Sequence, residues 1–464
     1  MTSALTPSSV EARAQPRKPF SFGFGPRFLL ALLTGLLWLV PAWWSPRLIA
    51  AMFLWDALAL LAWLFDLLRL PAPSEFNASR TWSAPLTLAA SASVHVQVQN
   101  LGRIPVFATL VDETPNALRD QPPILSAALL PLTNSRQMEY TVLPRERGNV
   151  AIGSLFLRYR SLFGFAERWS VAPLAQTVCV LPDLLQAKQQ ALYLIRSRQI
   201  EVQKRQRRQS GIGREFESLR EYRQGDELRD VSWSASARRH QLISRAYTAE
   251  RSQTVWIVVD AGRLLRARVP DPTGALHLAK LDYAVNAALS LAQVASQHGD
   301  HVGLLAYGRA IQQSLAPARG PLQIRRFVEA LAYVAAEPAE ADHARAARTL
   351  LQKQTRRALV VWITDFAETP ATPDVIEYAA HLAKRNLVLF AAIAQPDLAL
   401  VARTTPQSET EMFRQAAALE IVERRDLLLR NLRHTGVLAL ELAPGRVTAS
   451  LVNQYLQIKD RNLL

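Results

Sequence analysis

The first apolar stretches of the chain are long enough to cross a membrane. From Phe28 to Trp44 the sequence carries no charged residue, and a second apolar run extends from Leu48 to Phe65. Each run is close to the roughly 20 residues that span a bilayer. We therefore predict a transmembrane helix hairpin over residues 28–70. A cleaved signal peptide is the alternative, but the second apolar run follows at once and no clear small-residue cleavage site separates the two.

The hydrophobic period changes from helical to alternating after the Pro-Ala-Pro sequence of residues 71–73. Val94, Val96 and Val98 alternate with polar residues, and short apolar runs recur between turn-forming segments. Strands of this length and spacing are typical of an antiparallel sandwich. We predict an immunoglobulin-like β-sandwich over residues 74–182. Besides the valine run, its candidate strands are residues 106–111, 138–143, 150–159 and 177–181.

A third pattern begins at residue 254, where continuous apolar runs alternate with amphipathic helical segments. Strands that are apolar along their whole length indicate a parallel sheet covered by helices on both faces. We predict a doubly wound α/β domain over residues 254–464. The predicted strands are residues 254–259, 302–307, 358–364, 387–393 and 437–442, and the predicted helices are residues 279–295, 322–335, 374–384 and 446–458.

Residues 183–210 connect the two folded parts. They combine good helix formers with a basic end, which predicts a basic linker helix. A nucleic-acid-binding helix is the alternative. Because the segment lacks interleaved aromatic residues on which bases could stack, we expect no nucleic-acid partner.

Basic residues are concentrated on both sides of the hairpin, in a chain of 464 residues with a net charge of +15. Such residues stay on the cytoplasmic side of a membrane. We predict that residues 1–27 form a cytoplasmic tail and that the protein is a multi-pass protein of the cell inner membrane, with the lipid bilayer as a partner and a large cytoplasmic domain. Asp56 lies inside the second apolar run, and we expect it at a helix–helix or oligomer contact. The flanking basic residues are Arg13, Arg17, Lys18 and Arg27 before the hairpin and Arg69 and Arg80 after it, against Arg47 in the turn.

The sequence offers no recognisable catalytic constellation. The single cysteine, Cys179, excludes an intrachain disulfide framework, and neither a P-loop nor a nucleophile-elbow motif is present. His298 and His301 have no third ligand nearby for a metal. We predict that the protein is not an enzyme and needs no cofactor. A membrane-tethered hydrolase using His240 as its general acid or base is the competing hypothesis.

Two predicted strands end in an acidic residue at the same edge of the predicted sheet. Asp260 ends the first strand, and Asp365 follows Thr364 at the end of the third. This pairing resembles the von Willebrand factor A fold, whose metal-ion-dependent adhesion site uses an Asp-x-Ser-x-Ser motif, a threonine and a later aspartate. Gly262 and Leu264 replace the two serines here, which removes two oxygen ligands for a hard cation. The resemblance therefore implies a degenerate form of this site. We favour a site without bound Mg²⁺ over a site that binds it.

Two other interpretations of these carboxylates stay open. The guanidinium of Arg263 could occupy the place of the cation between Asp260 and Asp365. Alternatively, both carboxylates could be ordinary strand-end residues that cap helices.

Residues 211–253 form a signature segment in which acids and bases alternate around a Gly-Asp step. We predict that these charges form a structural network or a docking face, with Phe216 and Leu219 on a helical face and an edge strand from Gln241 to Tyr247. The segment resembles the family called domain of unknown function 58. The matching positions are Gly211, Gly213, Glu215, Phe216, Leu219, Arg220, Tyr222, Gly225, Asp226, Arg229, Trp233, Ala237 and Arg238, and Asp230 is added as a candidate docking residue.

The resemblance has implications for function. Proteins of that family are commonly encoded beside AAA+ ATPases of the MoxR type, and proteins with A-type domains are thought to act as adaptors for these ATPases. It implies a membrane-anchored interaction protein that works with such an ATPase on an unknown client protein during assembly or maturation. The alternative is a metal-dependent ligand-binding module that uses Asp260, Thr364 and Asp365.

Overall fold

The protein consists of two compact units, Met1–Asp183 and Leu184–Leu464. The computed structural model describes residues 7–18, 21–45, 49–131, 135–183, 215–222, 231–248, 252–270, 277–366, 372–461 and 463. The predicted linker helix, apart from residue 183, and six signature positions lie outside these residues. The six positions are Gly211, Gly213, Gly225, Asp226, Arg229 and Asp230.

The first apolar run is broken into short helical pieces. Helix α1, Pro26–Gly35, is followed by a 3₁₀ turn, Leu36–Trp38, and by the short helix α2, Leu39–Ala42. Apolar helical residues extend only from Pro26 to Pro41, which reach about 24 Å at 1.5 Å per residue and so fall short of the roughly 30 Å hydrocarbon layer. The prediction of a first spanning helix is therefore not supported.

The second apolar run is a continuous helix, as predicted. Helix α3, Ile49–Arg69, has 21 residues and is long and apolar enough to cross a membrane. It packs against α1, and the indole Nε1 of Trp55 donates to the carbonyl of Ala31 at 2.8 Å. Gly35 permits this approach, because a Cβ at that position would lie 2.7 Å from Oδ1 of Asp56. Asp56 thus lies at the contact between the two helices.

The remainder of the first unit is formed by antiparallel strands. One sheet has the order β1-β4-β5-β8, and the other has the order β2-β11-β10-β6-β7 with β3 also paired to β11; β9 and β12 form a separate ribbon. The strands are β1 Val10–Arg13, β2 Gln15–Pro16, β3 Phe22–Phe24, β4 Phe76–Trp82, β5 Ala92–Asn100, β6 Val106–Asp112, β7 Ile124–Leu129, β8 Arg136–Val142, β9 Gly148–Ile152, β10 Leu155–Ser161, β11 Ala166–Ala172 and β12 Gln176–Val180.

The segment before the hairpin is part of this β unit. Strand β1 pairs with β4, and strands β2 and β3 pair with β11. The expected tail over residues 1–27 therefore contributes three strands, because its backbone groups complete the edges of two sheets. The alternating valines predicted the strand β5 correctly, whereas the predicted strand over residues 150–159 is divided between β9 and β10.

A buried ion pair joins the two sheets of the β unit. The side chains of Arg80 on β4 and Asp112 on β6 are completely buried, and Arg80 Nε donates to Asp112 Oδ2 at 3.0 Å. Arg80 also donates to the carbonyl of Leu174 at 2.9 Å, and the hydroxyl of Tyr140 donates to Asp112 at 2.6 Å. Burial raises the pKa of Tyr140. Arg80 is therefore a core residue, and it does not belong among the basic charges that flank the hairpin.

We expect Arg80→Met to lower the free energy of unfolding of the β unit by about 3–5 kcal/mol, because Asp112 would stay buried without its cation. Circular dichroism melts of the detergent-solubilised full chain measure this loss. Arg145→Met is the matched control: Arg145 pairs with Asp120, whose side chain is 72% exposed, and the melting temperature should hardly change. Equal losses in the two variants would contradict the role of the buried pair.

The second unit is built around a six-stranded sheet with the order β19-β18-β15-β20-β21-β22. All neighbouring strands are parallel except the edge strand β19, which is antiparallel to β18. The predicted parallel sheet is confirmed, and the edge strand is an addition to it. The strands are β15 Thr254–Asp260, β18 His301–Tyr307, β19 Ile311–Ala318, β20 Leu359–Thr364, β21 Leu387–Ile393 and β22 Leu438–Leu442, with a small ribbon of β16 Arg268–Pro270 and β17 His277–Ala279.

Helices follow the strands of this sheet. Strands β15, β18, β20 and β21 are buried along almost their whole length, which explains their continuous apolar sequences. The helices of this unit are α4 Trp233–Arg239, α5 Lys280–Gln297, α6 Pro321–Ala332, α7 His343–Lys353, α8 Thr372–Ala383, α9 Pro396–Arg403, α10 Glu409–His434 and α11 Val447–Asp460, and 3₁₀ turns lie at Arg263–Arg266 and Pro444–Arg446.

Candidate functional site

The site lies where the order of the parallel strands reverses. Chain connections lead from β15 to its neighbour β18 on one side, and β20 and β21 continue the sheet on the other. Val259 of β15 is in register with Ile363 of β20, so that Asp260 and Thr364 end adjacent strands. Ligands of doubly wound sheets bind at such a point, beyond the carboxyl ends of the strands.

Asp260 is buried and fully engaged in hydrogen bonds. Its Oδ1 accepts from the backbone N–H of Gly262 at 2.7 Å, and its Oδ2 accepts from the hydroxyl of Thr364 at 2.6 Å. Burial raises the pKa of Asp260; the charge of His343 and the two hydrogen bonds oppose this increase. The predicted pairing of Asp260 with Thr364 is present, and it is an internal hydrogen bond.

Asp365 is held by two cationic side chains. Nζ of Lys280, at the start of α5, lies 2.6 Å from Oδ2, and Nη1 of Arg425, from α10, lies 2.8 Å from Oδ1. The backbone N–H of Phe366 donates to Oδ1 at 2.7 Å. Lys280 is completely buried, and burial lowers its pKa, while the Asp365 carboxylate opposes this decrease.

Arg425 fixes the long helix α10 to the same edge of the sheet. Besides its contact with Asp365, it donates from Nη2 to the carbonyl of Ile393 at 2.7 Å, and its Nε lies 2.8 Å from a carboxylate oxygen of Glu441 on β22. One guanidinium therefore connects a helix with the ends of three strands. Burial of such a charge is tolerated because Nη2 donates to a carbonyl and the carboxylates of Asp365 and Glu441 lie beside the guanidinium.

Sequence reasoning missed Lys280, Arg425 and Glu441. One signal was present: Lys280 shares a helical face with Ala284 and Ala287, and both alanines are buried. A lone charge on the buried face of a helix indicates a partner inside the protein. Which carboxylate it meets was not readable from spacing.

Arg263 does not bridge the two carboxylates. Its guanidinium donates to Glu340 at 3.0 Å, both side chains are about half exposed, and its backbone N–H donates to the carbonyl of Ala339 at 2.9 Å. The hypothesis that Arg263 replaces the cation is therefore wrong. Lys280 reaches Asp365 because α5 begins beneath the strand ends, whereas Arg263 lies in a 3₁₀ turn that points it towards Glu340.

The residues at this edge do not fit a hard cation. The hydroxyl of Thr364 donates its proton to Asp260, and both oxygens of Asp365 already form ion pairs with Lys280 and Arg425. A serine side chain would not fit at Gly262, since its Cβ would lie 2.9 Å from the backbone nitrogen of Ala341. Within the described part of the chain, no group of three or more His, Cys, Asp or Glu side chains is arranged to hold a metal.

A buried tyrosine completes the site. The indole Nε1 of Trp362 donates to the hydroxyl of Tyr307 at 2.7 Å, and the same hydroxyl lies 2.7 Å from Nδ1 of His343. The hydroxyl of Tyr307 accepts from the indole, and either the hydroxyl or Nδ1 of His343 donates in the second hydrogen bond, according to the tautomer of the histidine. Burial raises the pKa of Tyr307. A cleft opens above this group, between Arg263, His343 and Phe366.

The signature segment differs from its predicted local structure. Residues 215–221 form strand β13, Glu215–Glu221, which pairs antiparallel with β14, Ile243–Thr248. The predicted helical face carrying Phe216 and Leu219 is therefore wrong, because pairing with β14 holds this part of the chain in an extended conformation. The predicted edge strand from Gln241 to Tyr247 nearly coincides with β14. Side-chain positions of Glu215, Phe216, Leu219 and Arg220 lie outside the description.

Three other signature residues are described with their side chains. Trp233 begins helix α4 and is 66% exposed, Arg238 is exposed and Tyr222 is partly exposed. Trp233 therefore does not pin the segment to a core; Ser236 is the buried residue of this helix and accepts from the N–H of Ile243 at 2.8 Å. His240, the histidine of the hydrolase hypothesis, is exposed at the end of α4.

Sequence comparisons identify a related family over part of the chain. The family model described as "Protein of unknown function DUF58" matches residues 218–405. The uncharacterized protein Rv1480 of Mycobacterium tuberculosis is 31% identical over 160 residues, which cover 34% of this chain and 48% of that protein, and an uncharacterized protein of Mycobacterium bovis matches to the same extent. The chain thus spans about half the length of the curated relatives that it matches. The predicted resemblance is confirmed over the matched residues.

Solved structures offer weak similarity. The conserved hypothetical protein BatB from Bacteroides thetaiotaomicron aligns with 45% of this chain and 100% of its own length, with 15% sequence identity and a TM-score of 0.29. Proximal thread matrix protein 1 from the mussel byssus aligns with 43% of this chain and 46% of its own, with 11% identity and a TM-score of 0.27.

The raised pKa of Asp260 predicts a pH-dependent effect of Asp260→Asn. An acid whose pKa is raised in the folded protein contributes stability at low pH, and this contribution is lost as the pH rises through the folded pKa. Asparagine accepts from Gly262 and donates to Thr364 without ionising. We expect the melting temperature of the variant minus that of the wild type to increase from about pH 4 to about pH 8.

Asp397→Asn, at an exposed carboxylate in the first turn of α9, is the control for the loss of a charge, and its difference should stay flat. A constant difference for Asp260→Asn across this range would contradict the raised pKa.

The engaged carboxylates also predict the response to divalent cations. We expect Mg²⁺ to leave the melting temperature of the full chain unchanged relative to sodium chloride of equal ionic strength, because it would have to displace the ammonium of Lys280 from Asp365. Differential scanning fluorimetry measures this. A Mg²⁺-dependent rise that Asp260→Ala abolishes would contradict the prediction and favour the metal-dependent ligand-binding module.

Proposed function

We propose that the protein is a membrane-anchored interaction protein, without enzymatic activity of its own, that docks an AAA+ ATPase of the MoxR type and its client. The exposed apolar surface of helices α9 and α10 carries this proposal.

The hairpin supplies the anchor. Helix α3 can cross a bilayer by length and composition, and α1 packs beside it. Strand β3 directly precedes α1 and strand β4 follows α3, and both strands belong to the same β unit. We therefore place both ends of the helix pair on one side of the membrane, with the broken first run, which is too short to cross as a straight helix, returning the chain beside α3. The basic residues Arg27 and Arg69 at these ends favour the cytoplasmic side of the inner membrane.

Helices α9 and α10 present apolar side chains to solvent. Leu400 is 67% exposed, Met412 52% and Phe413 64%. Apolar residues grouped in this way on a folded surface mark protein–protein contacts. The N-terminal half of α10 is exposed along most of its length, whereas its C-terminal half packs into the core through Leu428 and Leu432.

The ion pairs of Arg425 at the sheet edge hold helix α10 and its exposed apolar surface in a fixed position. Arg425 lies in the middle of α10 and is fixed by Asp365 and Glu441. A helix fixed in this way loses little conformational entropy when a partner binds to its exposed half. A carboxylate whose two oxygens are already paired with cations is also poorly suited to act as a general base.

The resemblance to the domain of unknown function 58 family supports the proposed partner class. Proteins with A-type domains are thought to serve AAA+ ATPases as adaptors, a role that needs a rigid docking surface and a membrane anchor. We infer that the second unit, as a von Willebrand factor A-like domain, presents this surface in the cytoplasm, and that the signature segment contributes to it through exposed residues such as Trp233 and Arg238.

Affinity purification of the tagged full chain tests this function. Membranes are solubilised in mild detergent with a non-hydrolysable ATP analogue, and the bound proteins are identified. We expect an AAA+ ATPase in the wild-type sample and a loss on the order of tenfold or more with Met412→Ser/Phe413→Ser, because exposed anchor residues dominate binding energies.

Leu322→Ser is the matched control, since Leu322 is 63% exposed on α6, which contacts the opposite edge of the sheet. Recovery with this variant should equal that of the wild type. If no AAA+ ATPase is recovered under any nucleotide condition, the proposed partner is wrong; if both variants lose it equally, the α9–α10 surface is wrong.

A further inference from the structure

The loop between β10 and β11, residues 162–165, is fixed to the end of the apolar helix α3. Asp66, in the last turn of α3, is buried and accepts from the hydroxyl of Ser161 at 2.5 Å. Its second oxygen accepts from the backbone N–H groups of Phe165 at 3.0 Å and Ala166 at 2.9 Å. Both ends of the loop are thus attached to one carboxylate, and the loop tip cannot move independently of the helix.

The beginning of α1 holds the same loop from its other side. Arg27 donates from Nη1 to the carbonyls of Leu162 at 2.8 Å and Phe163 at 3.0 Å, and the N–H of Gly25 donates to the carbonyl of Phe165 at 2.7 Å. Gly25 allows this approach, because a Cβ would lie 2.2 Å from the carbonyl oxygen of Gly164. The loop is therefore clamped between the two helices where they leave the β unit.

This clamped loop exposes large apolar side chains. Leu162 and Phe163 are each 55% exposed at its tip. Beside them, Phe24 on β3 is 51% exposed and packs against Phe28 and Trp63 at ring distances of 4.6 Å and 5.0 Å. Holding such residues rigidly in water costs solvation free energy with no internal benefit. Trp63 belongs to α3, so Phe24 adjoins the apolar helix directly, which indicates a common apolar environment.

Basic side chains surround the apolar residues. Arg27 and Arg69 lie at the two helix ends, and Arg160 precedes the loop; all three are exposed. Arg103 is exposed in the segment next to Gly102, where a Cβ would lie 2.7 Å from Pro71 after the end of α3. At this end of the β unit, the described acidic side chains Asp66, Glu75 and Glu167 are buried or partly buried and accept internal hydrogen bonds, with Glu167 paired to Arg158.

We infer that this end of the β unit is a membrane-contacting collar that binds the headgroup layer of an anionic phospholipid bilayer. The collar consists of Phe24, Leu162 and Phe163 as apolar residues and Arg27, Arg69, Arg103 and Arg160 as basic residues. Aromatic residues favour the interface between hydrocarbon and water, and arginines favour anionic headgroups. The inference rests on the proposed membrane anchorage and adds that the β unit itself contacts lipid.

A fluorescent probe on the loop tip tests the collar. In a Cys179→Ser background, Phe163→Cys is labelled with an environment-sensitive dye, and the full chain is reconstituted into vesicles of phosphatidylcholine with phosphatidylglycerol. We expect the emission of the dye at position 163 in vesicles to be blue-shifted. The reference is the emission of the same dye attached to a short peptide in buffer without detergent or lipid. Ile124→Cys is the matched control, because Ile124 is 72% exposed at the opposite end of the same sheet, and its emission should stay that of an aqueous dye.

Vesicle flotation separates the possible failures. If the protein floats with the vesicles but the Phe163 and Ile124 probes emit alike, the collar is wrong and the anchorage stands. If the protein does not float, the proposed anchorage itself fails. Thermal melts of both labelled variants establish that each is folded.

The basic part of the collar is tested with Arg103→Gln/Arg160→Gln, which leaves the hydrogen bonds of Arg27 in place. We expect the Phe163 probe in the parent chain to shift further in vesicles containing phosphatidylglycerol than in phosphatidylcholine alone, and this difference to shrink in the double variant and at high salt. Equal emission of the parent chain in the two lipid mixtures would overturn the preference for anionic lipid.

Discussion

A carboxylate that leaves water must regain its lost hydration energy from hydrogen bonds and cations, and this requirement shapes both units of the protein. In the β unit, Asp112 meets Arg80 between the sheets, and Asp66 fastens the apolar helix to a loop. In the second unit, Asp365 meets Lys280, which lies 85 positions earlier in the chain. Each carboxylate connects elements that are distant in sequence, so each position depends on the whole fold around it.

The same constraint decides what the sheet edge can do. A doubly wound sheet offers a ligand site where its strand order reverses. Here, however, the carboxylate oxygens of Asp260 and Asp365 accept hydrogen bonds from, or form ion pairs with, groups of the protein itself. What is left for function is the outer surface of the elements that these charges hold in place. The base of the hairpin follows the same principle: buried hydrogen bonds of Asp66 hold the exposed side chains of Leu162 and Phe163.

The main strands of the second unit were predictable because strands buried on both faces give continuous apolar runs. The sequence pattern does not predict strand β19, since its residues are mostly half-buried at the sheet edge and form no continuous apolar run. It does not predict helix α10 either, because the exposed N-terminal half of this helix mixes apolar and charged residues without a clear stripe. The spacing of Phe216 and Leu219 predicts a helical face, whereas the structure has strand β13, because its pairing partner β14 follows only at Ile243.

The sequence by itself determined the order of apolar helix, antiparallel strands and parallel sheet, and the strand-end positions of Asp260 and Asp365, because periodicity records which faces are buried. Only the tertiary structure decided which groups these carboxylates meet, and that Arg80 lies in a core instead of beside a membrane. The physical reason is range: periodicity depends on neighbours within a few residues, whereas the partner of a buried charge is whichever group the packed elements bring within hydrogen-bond distance.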